Sequence, residues 1–191
     1  MKTGDGISPV FVVKRKDMKM AINGLQKIWV RILLTVLTVT MMVLIFCFST
    51  EPAERSDQTS GRFTRQVIHR VYPDYESYPQ ERKHSIYDRI QHIVRKAAHF
   101  TEFAILGILL RLCLESWFGP WKWLPFIAWA AGTFYAGTDE LHQLMTDGRS
   151  GQWTDVLLDS SGVLTGVALT TLILWLVVRR IKRKEQEKAC Q

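Results

Sequence analysis

The sequence predicts an all-α integral membrane protein, a bundle of four transmembrane helices with a long loop after the first. Three observations predict it. Hydrophobic residues make up 47% of the 191 positions, and they gather into four runs instead of spreading along the chain. Each run approaches the roughly 20 apolar residues with which an α-helix crosses a bilayer core. Basic residues collect just before the first run and just after the last, which is the asymmetry that orients helices in a membrane.

The elements follow in order. Residues 1–27 carry Lys14, Arg15, Lys16, Lys19 and Lys27 and are expected in the cytosol. The first span, Ile28 to Phe48, is interrupted only by Arg31 near its start. A basic segment before an apolar run also marks signal peptides. This core is longer than such an h-region, however, and "FSTEPAERS" offers no small-x-small cleavage signal, so a retained anchor is expected. The loop of residues 49–96 contains "HSIYDRIQHIVRKAAHF", where Ile86, Ile90, Ile93 and Ala97 recur at helical spacing opposite a charged face. That is the pattern of an interfacial amphipathic helix running into the next span. "VYPDYESYPQ" reads as irregular, and His69, His84 and His92 as residues of solvated faces.

The second span covers Ala97 to Cys113, the third Trp121 to Thr138 and the fourth Val156 to Val178. Residues 179–191 form a basic tail with Arg179, Arg180, Lys182, Arg183 and Lys184. Basic ends on an even number of spans place both termini in the cytosol, and the 49–96 loop and residues 145–152 outside. The nine bases of that loop do not reverse this, because long loops translocate largely regardless of charge. Trp29, Trp117, Trp121, Trp123 and Trp153 lie near span ends, as interfacial anchors do. Cys47, Cys113 and Cys190 are too scattered for a disulfide framework or a zinc knuckle. The basic ends suit anionic lipid and call for no nucleic-acid partner.

One window resists a purely lipid-facing reading. "GTDELHQLMTDGRSGQWTDV", Gly137 to Val156, packs ionisable residues between two apolar runs. At 1.5 Å per residue, Asp139 lies about 27 Å along the third span from Trp121, which is the outer rim. The second span begins at that rim with His99 and Glu102, spaced i, i+3, and Lys96 one turn earlier. Asp139 shares a face with His142 and Gln143, and Asp155 shares one with Asp159. Gly162 and Gly166 continue the latter stripe, and small residues let membrane helices approach closely. Three helices therefore bring their polar residues to one level.

These residues carry a family resemblance. "KAAHFTEFAILGILL" (Lys96 to Leu110), "GTDELHQLMTDGRSGQWTDVLLDSSGVLTG" (Gly137 to Gly166) and "FSTEPAERSDQTSG" after the first span resemble the VanZ-like family of bacterial membrane proteins. The likeness covers roughly Ile28 to Val178. The family's recurring positions correspond here to Lys96, His99, Glu102, Asp139, Glu140, His142, Gln143, Arg149, Asp155 and Asp159. The resemblance implies a multi-pass protein of the bacterial cell membrane with a cell-envelope role. The family's founding member is linked to resistance to the glycopeptide teicoplanin. No settled reaction mechanism comes with it.

The residues themselves leave three readings open. Ionisable groups within a span cost about 2.5–3.5 kcal/mol each at the helix centre on insertion scales, so a cluster of them points to function. A catalytic reading takes His142, Asp139, Glu102 and His99 as the core of a membrane-embedded hydrolase or transferase, with a histidine as general base oriented by a carboxylate. Lys96, Glu140, Gln143 and Arg149 would then bind substrate, and the guanidinium matches phosphate oxygens bidentately. A metal reading takes His99, Glu102, Asp139, His142, Asp155 and Asp159 as ligands, a set that suits Zn or Mn. The third reading is a structural latch in which Lys96 and Arg149 neutralise the carboxylates. No HExxH, G-x-S-x-G or P-loop element is present, and Ser150, Ser160 and Ser161 read as loop or packing serines. Membrane lipids or lipid-linked envelope precursors are the expected partners.

Overall fold

The computed structural model describes residues 25–50, 53–144 and 153–189. These residues form five α-helices and no strand. They are α1 (Ile28–Ser49), α2 (Ala53–Val71), α3 (Gln80–Phe118), α4 (Leu124–Gln143) and α5 (Trp153–Ala189), with a 3-10 turn at Tyr75–Ser77 between α2 and α3.

Three of these are long and apolar enough to cross a membrane: Ile28–Ser49, Gln80–Phe118 and the Trp153–Ile181 part of α5. The third expected span appears as α4. Its 20 residues reach about 30 Å, but Trp, Tyr and Gly dilute the run and Asp139 and Glu140 fall in its last turns. Its composition alone does not mark it as a span. Local chemistry sets the ends: Pro125 occupies the first turn of α4, where a missing N–H costs nothing. α3 stops at Gly119, whose φ of 68° is the left-handed conformation that glycine adopts at helix C-termini. Its amide donates to the Glu115 carbonyl at 2.9 Å.

α3 is the hub, and its largest interface is with α5. Backbone approach explains the tightness. A Cβ on Gly166 would stand 2.0 Å from the Ala104 carbonyl oxygen, one on Gly162 2.6 Å from that of Phe100, and one on Gly107 2.4 Å from that of Val163. Ile45, Phe103, Leu106, Ala128, Ala136, Val163 and Val167 fill the shared core. Large side chains such as Leu33, Val36, Val39, Leu172 and Ile173 point outward and are exposed. Small residues inside and large apolar residues outside is how helices pack in lipid.

The 49–96 segment is more ordered than a loop. α3 does run unbroken from the amphipathic stretch into the apolar one, and its 39 residues span about 58 Å, nearly twice a bilayer core. Ile86 and Ile90 are half-buried, whereas Ile93 and Ala97 are exposed. α2 lies against the start of α3. The Thr64 hydroxyl donates to Gln91 Oε1, Gln91 Nε2 donates to Ser60 Oγ at 2.6 Å, and Ile68 is fully buried. The inward face of α2 is Gly61, Thr64 and Ile68, a helical period hidden by two residues that are not apolar.

At the far end of the bundle, Arg111 and Glu115 form a buried ion pair on α3. Trp117 Nε1 donates to Thr35 Oγ1 at 3.1 Å, and the Arg31 guanidinium sits 5.5 Å from the Trp117 ring centroid. These contacts tie α1 to α3.

Candidate functional site

The opposite end holds the polar residues, arranged in layers. In the upper layer Lys96 Nζ donates to Asp155 Oδ1 at 2.8 Å, with both side chains about one-third exposed. One turn deeper, His99 of α3, Asp139 of α4 and Asp159 of α5 converge, and one ligand atom from each lies within 4.8 Å of the others. One further turn down stand Phe103, Tyr135 and Val163. Phe103 and Val163 are fully buried, and the Phe103 and Tyr135 rings are 6.2 Å apart. That layer is the apolar floor.

The middle layer is held from several sides. Asp139 and Asp159 are each only 2% exposed. Asp139 Oδ2 accepts hydrogen bonds from Ser49 Oγ at 2.7 Å and from Gln143 Nε2 at 2.9 Å, and Gln143 also reaches Ser49 Oγ at 3.2 Å. The Tyr135 hydroxyl donates to the Met42 carbonyl at 2.6 Å, fixing α4 to α1 just below. The remaining oxygens, Asp139 Oδ1 and Asp159 Oδ1, are buried and have no hydrogen-bond partner among the described residues. Two buried carboxylates on facing helices are relieved either by a cation or by holding a proton, because desolvation and like charge both disfavour the doubly ionised pair.

Not every expected site residue joins this trio. Glu102 Oε2 lies 3.9 Å from His99 Nδ1 and stands beside the three. His142 packs its ring on Phe46, centroids 4.5 Å apart. Gln143 positions Asp139 through its amide, Glu140 is buried on the same stretch of α4, and Asp155 is engaged by Lys96. Arg149 falls outside the described residues. Ser160 behaves as a packing residue, accepting from Trp129 Nε1 at 3.1 Å and lying 2.8 Å from Thr133 Oγ1. Below it, an apolar groove of about 670 Å³ runs between α4 and α5, lined by Phe126, Trp129, Leu164, Ala168, Leu172 and Trp175 among others.

Ser49 is the site residue that spacing did not reveal. A serine at the end of an apolar run carries no periodic signal, and its one trace was membership of the "FSTEPAERSDQTSG" segment.

Among known proteins, the VanZ/LLP1 family model matches residues 34–175, a stretch that takes in every residue of the trio and Ser49. No curated protein and no solved structure matches the chain.

Proposed function

This chain belongs to the VanZ/LLP1 family, and from that premise we propose that it is a multi-pass cell-envelope protein whose polar pocket binds the phosphate-bearing head of a lipid-linked molecule. The carrying observation is the convergence of half-buried His99 with buried Asp139 and Asp159 from three helices at one end of a bundle with an apolar exterior. Polar groups grouped at that depth mark a ligand site by default. The apolar groove between α4 and α5 supports a lipid-linked ligand, since it offers a hydrocarbon chain a seat beside the pocket. In this reading α4 is a fourth span, both termini are cytosolic and the pocket opens outward. Lys96, paired with Asp155, is a basic residue at its rim. Glu102, beside the three, is the group placed to move a proton if hydrolysis or transfer follows binding.

A second reading has its own support. The Ser49–Asp139–Gln143 hydrogen bonds and the Lys96–Asp155 pair join α1 to α4 and α3 to α5, as a structural latch would.

Purified full-length protein in lipid nanodiscs containing a polyprenyl phosphate separates the two. Wild type is expected to retain the polyprenyl phosphate over phosphatidylglycerol. His99→Gln is expected to lose that preference at unchanged abundance and melting temperature, with inorganic phosphate release scored in parallel. A variant that keeps the preference but melts markedly lower would sink the pocket reading in favour of the latch.

A further inference from the structure

We infer that His99, Asp139 and Asp159 form the binding site of a single divalent cation, Zn²⁺ or Mn²⁺. The donor set is one imidazole and two carboxylates, a mixture of borderline and hard ligands suited to those ions. Bonds of about 2.0–2.2 Å place the donors of one ion up to roughly 4 Å apart. The three donors lie within 4.8 Å of one another, so side-chain rotation closes the remaining gap.

The unused oxygens are the independent observation. Asp139 Oδ1 and Asp159 Oδ1 belong to carboxylates that are 2% exposed and have no hydrogen-bond partner among the described residues. An ionised carboxylate out of water with an unpaired oxygen is costly. Lys96, one turn away, is spent on Asp155. The other oxygen of Asp139 is gripped by Ser49 and Gln143, the outer hydrogen bonding that orients metal-ligating carboxylates. A shared proton is the rival way to relieve the carboxylate pair, and it would leave Ser49 and Gln143 as simple packing groups.

Three protein ligands leave a coordination position open, with Glu102 beside it. There the cation would take a phosphoryl oxygen, which resolves how a pocket rich in carboxylates receives an anion. That use rests on the head-group reading; the cation site itself does not.

The test uses full-length protein in detergent, stripped with chelator and free of added lipid, titrated with Mn²⁺ by electron paramagnetic resonance and with Zn²⁺ by calorimetry. Wild type is expected to bind one ion per chain, and Mn²⁺ is expected to raise its melting temperature. Asp159→Asn is expected to lose both responses. Ser49→Ala is expected to weaken binding about 10–100-fold, as loss of an orienting partner does, while the remote Glu76→Gln matches wild type. The Ser49→Ala result carries the test if Asp159→Asn fails to accumulate. Folded wild type that binds neither ion, or Asp159→Asn that binds as tightly as wild type, overturns the site. Cation binding that leaves polyprenyl phosphate retention unaffected upholds the site and overturns only the cation's hold on the phosphoryl oxygen.

Discussion

Ser49 reaches across helices to both Asp139 and Gln143 and, with Gln143, holds one oxygen of Asp139. Replacing it with alanine removes a 2.7 Å hydrogen bond to a buried carboxylate, and a buried charged group left short of a donor costs about 1–3 kcal/mol or somewhat more. Ser49→Ala is therefore expected to lower the melting temperature in detergent, with Gln143 supplying the surviving bond. A melting temperature equal to wild type would show that water replaces the hydroxyl. His99, Asp139 and Asp159 were legible in the sequence because ionisable residues stand out in apolar runs. The separation of Asp155 from Asp159 was not. Helical spacing says which residues share a face, but it does not say which turn of a neighbouring helix each one meets. Asp155 sits one turn higher and meets Lys96 instead of the trio.

Among the elements, the glycines of the α3–α5 interface give the sharpest expectation. Gly166→Ala would put a methyl 2.0 Å from the Ala104 carbonyl oxygen, whereas Gly137→Ala meets nothing within 4 Å. Overpacking of this kind costs about 1–3 kcal/mol and can cost more. Gly166→Ala is expected to depress abundance and thermal stability, and Gly137→Ala to leave both unchanged. Equal behaviour of the two would mean that α5 does not ride on α3 as described. The buried Arg111–Glu115 pair invites a double-mutant cycle. Arg111→Leu alone strands a carboxylate and is expected to cost about 3–5 kcal/mol, while adding Glu115→Leu recovers most of it. The exposed pair near the 3-10 turn is different in kind. Lys83 donates to Glu76 at 3.0 Å, and this bond, with its charge, holds the carboxyl below its ordinary value of 4.5. The contact is thus present at neutral pH and lost as pH falls through that lowered value. Because Glu76 is fully exposed, Glu76→Gln is expected to melt with wild type at pH 7. Among the helices, α2 escaped the sequence reading because glycine and threonine carry its inner face and only Ile68 marks the period.

For the whole molecule, the main question is which way it faces. If α4 is a fourth span, as proposed above, basic ends on an even number of crossings are expected to put both termini in the cytosol. In a cysteine-free background, Ser77→Cys is expected to react with an impermeant thiol reagent on intact cells, and a reporter fused after Gln191 to signal from the cytosol. The reverse pattern would turn the pocket inward. An all-helical chain with apolar spans and a polar end was readable from the apolar runs and one polar window, whereas the place of α3 as hub came only from the structure. The status of α4 was harder to read, because a helix that carries part of a site surrenders apolarity to do so.

Gly162, Gly166 and Gly107 set α3 and α5 backbone against backbone on successive turns, so neither helix can slide or roll without driving main chain into main chain. α4 meets α5 differently, at Gly132, through the Val163 side chain, and it is tied to α1 by the hydrogen bonds of Asp139 and Tyr135. His99 and Asp159 thus ride on the two helices locked backbone to backbone and Asp139 on a helix held through side chains, so a substitution that shifts α4 would move one carboxylate against the other two groups.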